Sequence, residues 1–103
     1  MKQMRVGIIG YGFIGKVHAY GYHNLRYFFD PPPAEVRLVG VCTSRRESAE
    51  AARAHGGFEF ATTDAMELIG RRDIDVVNIC SPNHAHREQL LAAMAAVKHI
   101  YCD

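Results

Sequence analysis

The chain has little cysteine, little proline, no excess charge of either sign and no long apolar run. Cys42, Cys80 and Cys102 are odd in number and widely spaced, with no Cys-x-x-Cys pair, so no disulfide framework is implied. Each closes a short hydrophobic run, and all three are expected to be buried structural thiols. A net charge of +1 leaves no overall field to draw nucleic acid or an anionic membrane. No stretch of about 18 apolar residues exists, which excludes a spanning helix. Lys2, Arg5 and Val6–Ile9 faintly resemble a signal peptide, but glycines interrupt the next stretch and no small-x-small cleavage site appears. These absences predict a cytoplasmic chain with neither nucleic acid nor membrane as partner.

What is present is ordinary for a globular protein. The 103 residues are one domain's worth of chain, 49% apolar, which supports a modest core without disulfides or metals. Short apolar runs alternate with helical stretches. Strands are expected at Arg5–Ile9, Arg37–Cys42, Phe58–Ala61, Val76–Cys80 and His99–Cys102. The clearest are continuously apolar, which suits parallel strands covered on both faces. Ile14, Val17, Gly21, Leu25 and Phe28 recur at steps of three or four and predict one face of a first helix. Ser44-Arg45-Arg46-Glu47 reads as a capping box opening an Ala-rich helix that Gly56-Gly57 ends. Asp64-Ala65-Met66-Glu67 repeats the capping logic for a short third helix. Leu90, Leu91, Met94 and Val97 predict the core face of a fourth. Three of the four prolines stand in Asp30-Pro31-Pro32-Pro33, which must be a loop. The alternation predicts an α/β fold, a doubly wound parallel sheet in the order 3-2-1-4-5.

The most informative stretch is Gly10-Tyr11-Gly12-Phe13-Ile14-Gly15, directly after a predicted strand and opening a predicted helix. That context is what a dinucleotide fingerprint requires. Gly10 would allow the tight turn, Gly12 would admit a pyrophosphate, and Gly15 would let helix and sheet pack closely, with the helix N-terminus holding the phosphates. A glycine-rich turn with no ligand is the alternative. The usual acid after the second strand, which bonds a ribose 2′-hydroxyl, is replaced by Cys42-Thr43-Ser44-Arg45-Arg46. Two arginines oppose the positive end of the helix dipole, and an anion there would remove the penalty. Thr43, Ser44, Arg45 and Arg46 could thus hold an adenosine 2′-phosphate, which favours NADP over NAD. The alternative is that Ser44 only caps the helix and both arginines are solvated.

Ser81-Pro82-Asn83-His84-Ala85-His86 follows the fourth strand, with Pro82 setting a turn and Asn83 expected as N-cap. This loop should lie beside the glycine loop, at the nicotinamide end of a dinucleotide. His84 and His86 are two apart, a poor chelating pair, so no metal is expected; a capping or surface role would serve either histidine.

Three segments together resemble the N-terminal domain of the Gfo/Idh/MocA oxidoreductases: Val-Gly-Ile-Ile-Gly-Tyr-Gly-Phe-Ile-Gly-Lys-Val-His at 6–18, Asp-Val-Val-Asn-Ile-Cys-Ser-Pro-Asn-His-Ala-His at 75–86, and Lys-His-Ile-Tyr-Cys-Asp at 98–103. The resemblance covers essentially the whole chain. It implies a Rossmann domain paired with a C-terminal α/β domain, and hydride transfer between NAD(P) and a hydroxyl carbon of a sugar, cyclitol or related small molecule. Gly10, Gly12, Phe13, Ile14 and Gly15 match the family's phosphate loop, and Ser81, Pro82, Asn83 and His86 its nicotinamide-side loop. Asp103 matches the acid of its Glu-Lys-Pro motif, with Asp for the commoner Glu. The motif's lysine, which acts on the substrate hydroxyl, would be residue 104. Val97 stands where the family has the Gly that ends a helix. The resemblance therefore implies that residues 1–103 are a cofactor-binding domain without its substrate domain, able to bind a dinucleotide but not to turn over substrate. A stand-alone nucleotide-sensing module is the alternative. The His99–Cys102 strand would be an unprotected edge, open to pairing between two copies.

Overall fold

Nine elements alternate along the chain: β1 Gln3–Ile9, α1 Phe13–Phe28, β2 Glu35–Cys42, α2 Arg46–Gly56, β3 Phe60–Thr62, α3 Ala65–Ile69, β4 Val76–Ile79, α4 Asn83–Ala95 and β5 His99–Cys102. The computed structural model describes residues 3–28 and 35–102, with the backbone alone for residues 25–28 and 83–84. The expected loop at Asp30–Pro33 and the site residue Asp103 lie outside the described residues, as do the side chains of Leu25, Phe28 and Asn83. The strands form one parallel sheet in the order β3-β2-β1-β4-β5, as the alternation predicted. Observed strand bounds differ from the expected ones by up to two residues at their ends.

Two apolar layers flank the sheet. Val6, Ile8, Leu38 and Val41 pack with Ala19 of α1 and Ala52 of α2 on one face. Ile9, Val39, Val77 and Ile79 pack with Leu68 and Ile69 of α3 and Ala93 of α4 on the other. Both faces being covered is why these strands are continuously apolar. A register shift between Val6 and Gly7 leaves Val39 unpaired, so Leu38 and Val41 reach the same face despite being three apart.

The expected inner faces of two helices are turned outward. In α1, Ile14, Val17 and Gly21 are exposed, and the buried face is Gly15 and Ala19 with Tyr22 half-buried. The reason is close approach: a Cβ on Gly15 would stand 2.2 Å from the Gly10 carbonyl oxygen, so only small residues fit there. In α4, Leu91 and Met94 are exposed, as is Val97 just beyond its end, while Gln89 and Ala93 are buried and Leu90 is half-buried. Gln89 is tolerated inside because its side-chain oxygen accepts a bond from the Ser81 hydroxyl.

Helix ends follow the chain's punctuation in part. Asp64 caps α3 by accepting from the Met66 N–H, and Gly57, at φ 75°, closes α2. Ser44 does not cap α2: the helix starts at Arg46, Arg45 is the N-cap, and no side-chain bond caps it. Asn83 is the first helical residue of α4 rather than its cap, which is Pro82. After α4 the chain turns at Val97, whose φ of 57° is left-handed. The N–H groups of Val97 and Lys98 return to the carbonyls of Met94 and Ala93, both at 3.1 Å, the paired bonds of a Schellman ending.

Candidate functional site

The C-terminal ends of β1, β2 and β4 open into a cavity of about 720 Å³. Backbone bonds set its floor: the Gly10 N–H donates to the Cys42 carbonyl and the Cys80 N–H to that of Ile9, each at 2.8 Å, and the Thr43 N–H donates to Thr62 at 3.2 Å. The glycine loop, the β2 end and the β4–α4 loop are thereby stitched together at the point where strand order reverses.

Each glycine of the loop has a distinct surrounding. Gly10 has φ 94°, and a Cβ there would meet the Cys80 carbonyl oxygen at 2.7 Å, so the turn needs glycine twice over. Gly12 faces open space, with nothing within 4 Å of a Cβ position. Gly15 is the one pressed against the Gly10 carbonyl. Helix α1 begins at Phe13, directly after the cavity-lining Gly12, with no acidic residue in its first turn, so no carboxylate there competes for its free N–H groups. This arrangement fits an anionic phosphate group.

Of the residues singled out in the sequence, Gly10, Gly12, Thr43, Ser44, Ser81 and Pro82 line this cavity. Phe13 and Ile14, which follow Gly12 in the chain, do not line it, and their side chains are exposed. Arg45 and Arg46 flank the β2 end. The Arg46 guanidinium lies 3.4 Å from the Glu50 carboxylate and 3.5 Å from the Ala61 carbonyl. The hydroxyls of Thr43 and Ser48 are 2.6 Å apart, and both stand 3.0 Å from the Arg45 carbonyl oxygen. They hold the turn before α2 where a Ser44 cap was expected. His86 donates from Nε2 to the Ser81 carbonyl, and its Nδ1 is 3.6 Å from the Cys102 sulfur. It therefore braces the β4–α4 loop from behind.

Other residues of the site are not evident from sequence. Tyr11 lines the cavity, and its hydroxyl lies 2.8 Å from His55 Nδ1, its ring edge-on to those of His55 and Phe58. Burial raises the Tyr11 phenol above its usual range. Gln89 also lines the cavity and reaches the same loop through Ser81; standing at the end of the polar run Arg87-Glu88-Gln89, it gave no signal in the sequence.

The thiols are not alike. Cys42 is buried, and desolvation pushes it up to about 11. Cys80 is half-buried and Cys102 is exposed, which corrects the expectation of three buried thiols. The last strand is an edge of the sheet, and three of its four residues, Cys102 among them, are exposed. No group of three or more His, Cys, Asp or Glu gathers among the described residues as a metal site would require, and no described helix is long and apolar enough to cross a membrane.

The chain also matches known proteins. The family model of the Gfo/Idh/MocA oxidoreductases, described as an NAD-binding Rossmann fold, matches residues 4–103. Levoglucosan dehydrogenase of Pseudarthrobacter phenanthrenivorans is 45% identical over 100% of this chain and 26% of its own length. Myo-inositol 2-dehydrogenase of Thermotoga maritima is 33% identical over 97% of the chain and 28% of its length. D-glucoside 3-dehydrogenase of Escherichia coli is 36% identical over 97% and 26%. A solved levoglucosan dehydrogenase in complex with NADH and L-sorbose superposes with a TM-score of 0.95 at 41% identity, covering 99% of this chain and 27% of that one. The chain thus spans about a quarter of the length of the curated relatives it matches.

Proposed function

Since this chain belongs to the Gfo/Idh/MocA oxidoreductase family and is an NAD-binding Rossmann domain of that family, we propose that its cavity holds the dinucleotide in a fixed direction, for hydride exchange with a hydroxyl carbon of a sugar or cyclitol. Gly10, Gly12 and Gly15, with the backbone of Phe13 and Ile14, would hold the pyrophosphate. Thr43, Ser44, Arg45 and Arg46 would face the adenosine ribose, and Ser81, Pro82, Asn83 and Asp103 the nicotinamide side, with His86 bracing the loop that carries them. The observation that carries this reading is the open space over Gly12 beside a helix N-terminus free of carboxylates. The bound dinucleotide supplies the hydride-accepting carbon; the chain's own part is to neutralise phosphate charge, orient the ring and exclude water.

At the adenosine end the reading is NADP in preference to NAD. No acid follows β2 to bond a 2′-hydroxyl, and two arginines open α2. Arg46 would exchange its exposed pairing with Glu50 for the phosphate, a small cost because exposed pairs are worth about 0–1 kcal/mol. The substrate class rests on the relatives named as levoglucosan, inositol and glucoside dehydrogenases. A second, substrate-binding domain and a cytoplasmic setting belong to the same proposal. The β5 strand, at the edge of the sheet among the described residues, supports pairing between two copies.

Titration of the chain with NADH and NADPH, followed by nicotinamide fluorescence, tests the reading. Saturable binding competed by ADP-ribose is expected. A flat titration with both cofactors would refute it.

A further inference from the structure

One buried polar residue interrupts the apolar interior of β4. Asn78 is 1% exposed and lies between Val77 and Ile79, pointing to the α1 side of the sheet. A buried amide is costly unless its hydrogen bonds are made. Here they are. The Tyr22 hydroxyl donates to Asn78 Oδ1 at 2.9 Å, and Asn78 Nδ2 lies 2.8 Å from His18 Nδ1.

These contacts determine a proton position. The Tyr22 phenol, raised above its usual range chiefly by desolvation, keeps its proton and needs an acceptor. Asn78 Oδ1 serves, which turns the amide nitrogen toward His18. Nδ2 can only donate, so His18 Nδ1 must accept and the ring proton sits on Nε2. The Cys80 sulfur, 3.6 Å from the same Nδ1, makes a second approach to that lone pair. The His18 ring also meets Tyr101 of β5 edge-on, with centroids 4.9 Å apart. A cavity of about 360 Å³ borders the cluster between α1, β4 and β5.

His18 therefore ties the second turn of α1 to the end of β4, where Cys80, Ser81 and Pro82 begin to line the dinucleotide cavity. We propose that His18, locked as its Nε2–H tautomer by Asn78 and Tyr22, is a positioning residue for the nicotinamide half of the cofactor. The inference rests on the dinucleotide reading of the cavity, and it separates the two halves of the ligand. The adenosine and pyrophosphate half would be held by the β2 end and the glycine loop, which none of the hydrogen bonds described for Tyr22, Asn78 and His18 reaches.

Two measurements on the full chain test it. Long-range ¹H–¹⁵N correlation spectra of the imidazoles read the tautomer without any cofactor: Nε2–H is expected, and Nδ1–H overturns the proposal. Affinities for NADH and ADP-ribose then read the role. Tyr22→Phe keeps the ring and removes only the donor, and His18→Gln moves the acceptor away from the Nδ1 position. Each is expected to weaken NADH about tenfold, the loss of one hydrogen bond to a buried partner, while ADP-ribose stays within about twofold. His18→Asn, which keeps an acceptor at the Nδ1 position, should recover most of the NADH affinity. Equal losses for both ligands would mark a general packing role, and no loss for either would remove the role altogether; both overturn it. Wild-type chain binding neither ligand sinks the dinucleotide reading itself and the positioning role with it, whatever tautomer is found.

Discussion

The Gly15 α-carbon is packed against the Gly10 carbonyl so closely that an added Cβ would stand 2.2 Å from its oxygen, whereas the same atom on Gly12 would touch nothing within 4 Å. Two glycines three residues apart in one loop thus answer different demands. Gly15→Ala is expected to destabilise the fold by about 1–3 kcal/mol, the usual cost of overpacking against atoms that cannot move aside. Gly12→Ala should change stability by no more than about 0.5 kcal/mol, yet weaken dinucleotide binding tenfold or more. Denaturant midpoints and fluorescence titrations of both variants separate the effects, and similar midpoints for the two would contradict the packing argument.

Val97 carries strain that glycine would relieve. It is 90% exposed and β-branched, yet holds φ at 57° to complete the ending of α4. The left-handed conformation costs an L-residue about 1–2 kcal/mol, part of which glycine returns as unfolded-state entropy. Val97→Gly is therefore expected to stabilise the chain by roughly 1 kcal/mol, a rise in Tm of about 4–8 °C for a domain of this size. A fall in Tm would show that the Val97 side chain contributes more than its exposure indicates.

The arginines after β2 give a charge-specific prediction. The double change Arg45→Ala/Arg46→Ala should weaken NADPH about tenfold and leave NADH within about twofold, because only the former carries a 2′-phosphate for a charge-assisted bond. Isothermal titration at two salt concentrations is the measurement, with the NADPH loss shrinking as salt screens the exposed guanidinium groups. Unchanged preference would assign both side chains to solvent.

Acid stability should depend on Asp75. Its carboxylate accepts from Arg5 Nε at 2.9 Å, Nη2 at 2.8 Å and the Arg5 backbone N–H at 3.3 Å, pinning β1 beside the start of β4. The Arg5 hydrogen bonds hold it below the usual carboxylate range, as Arg71 does for Asp73 and Arg37 for Glu59. A lowered folded value means that the unfolded chain binds more protons. The stabilisation is present above the unfolded value near about 4 and is lost as pH falls through the lower folded one. Asp75→Asn should lower stability at pH 7 and flatten the acid limb, so that the two proteins converge at low pH. Urea melts between pH 7 and pH 2 would show whether they do.

Much of this was legible in the chain. The fold class and strand order followed from apolar runs, helix periods and the rule that crossovers are right-handed. The glycine loop, the Asp64 cap and the Gly57 ending were readable because each is decided within a few residues. The inward faces of α1 and α4 were not. Large apolar residues at Ile14, Val17, Leu91 and Met94 have the spacing of a core stripe, but the inward face of α1 carries Gly15, Ala19 and Tyr22, and at Gly15 the Gly10 carbonyl leaves no room for a Cβ. Gln89 and Asn78 are interior because their hydrogen-bond partners, Ser81 and Tyr22, stand beside them, a meeting no local pattern announces.

By itself the sequence determined the order of elements, the family and the backbone shape of the glycine loop, because these depend on local dihedral preferences and on patterns with a short period. Only the tertiary structure decided which helix faces are buried, which thiols are exposed and which nitrogen of His18 carries its proton. Those outcomes depend on atoms from residues far apart in the chain, such as Tyr22 and Asn78, meeting within hydrogen-bond distance, and no local pattern encodes that meeting.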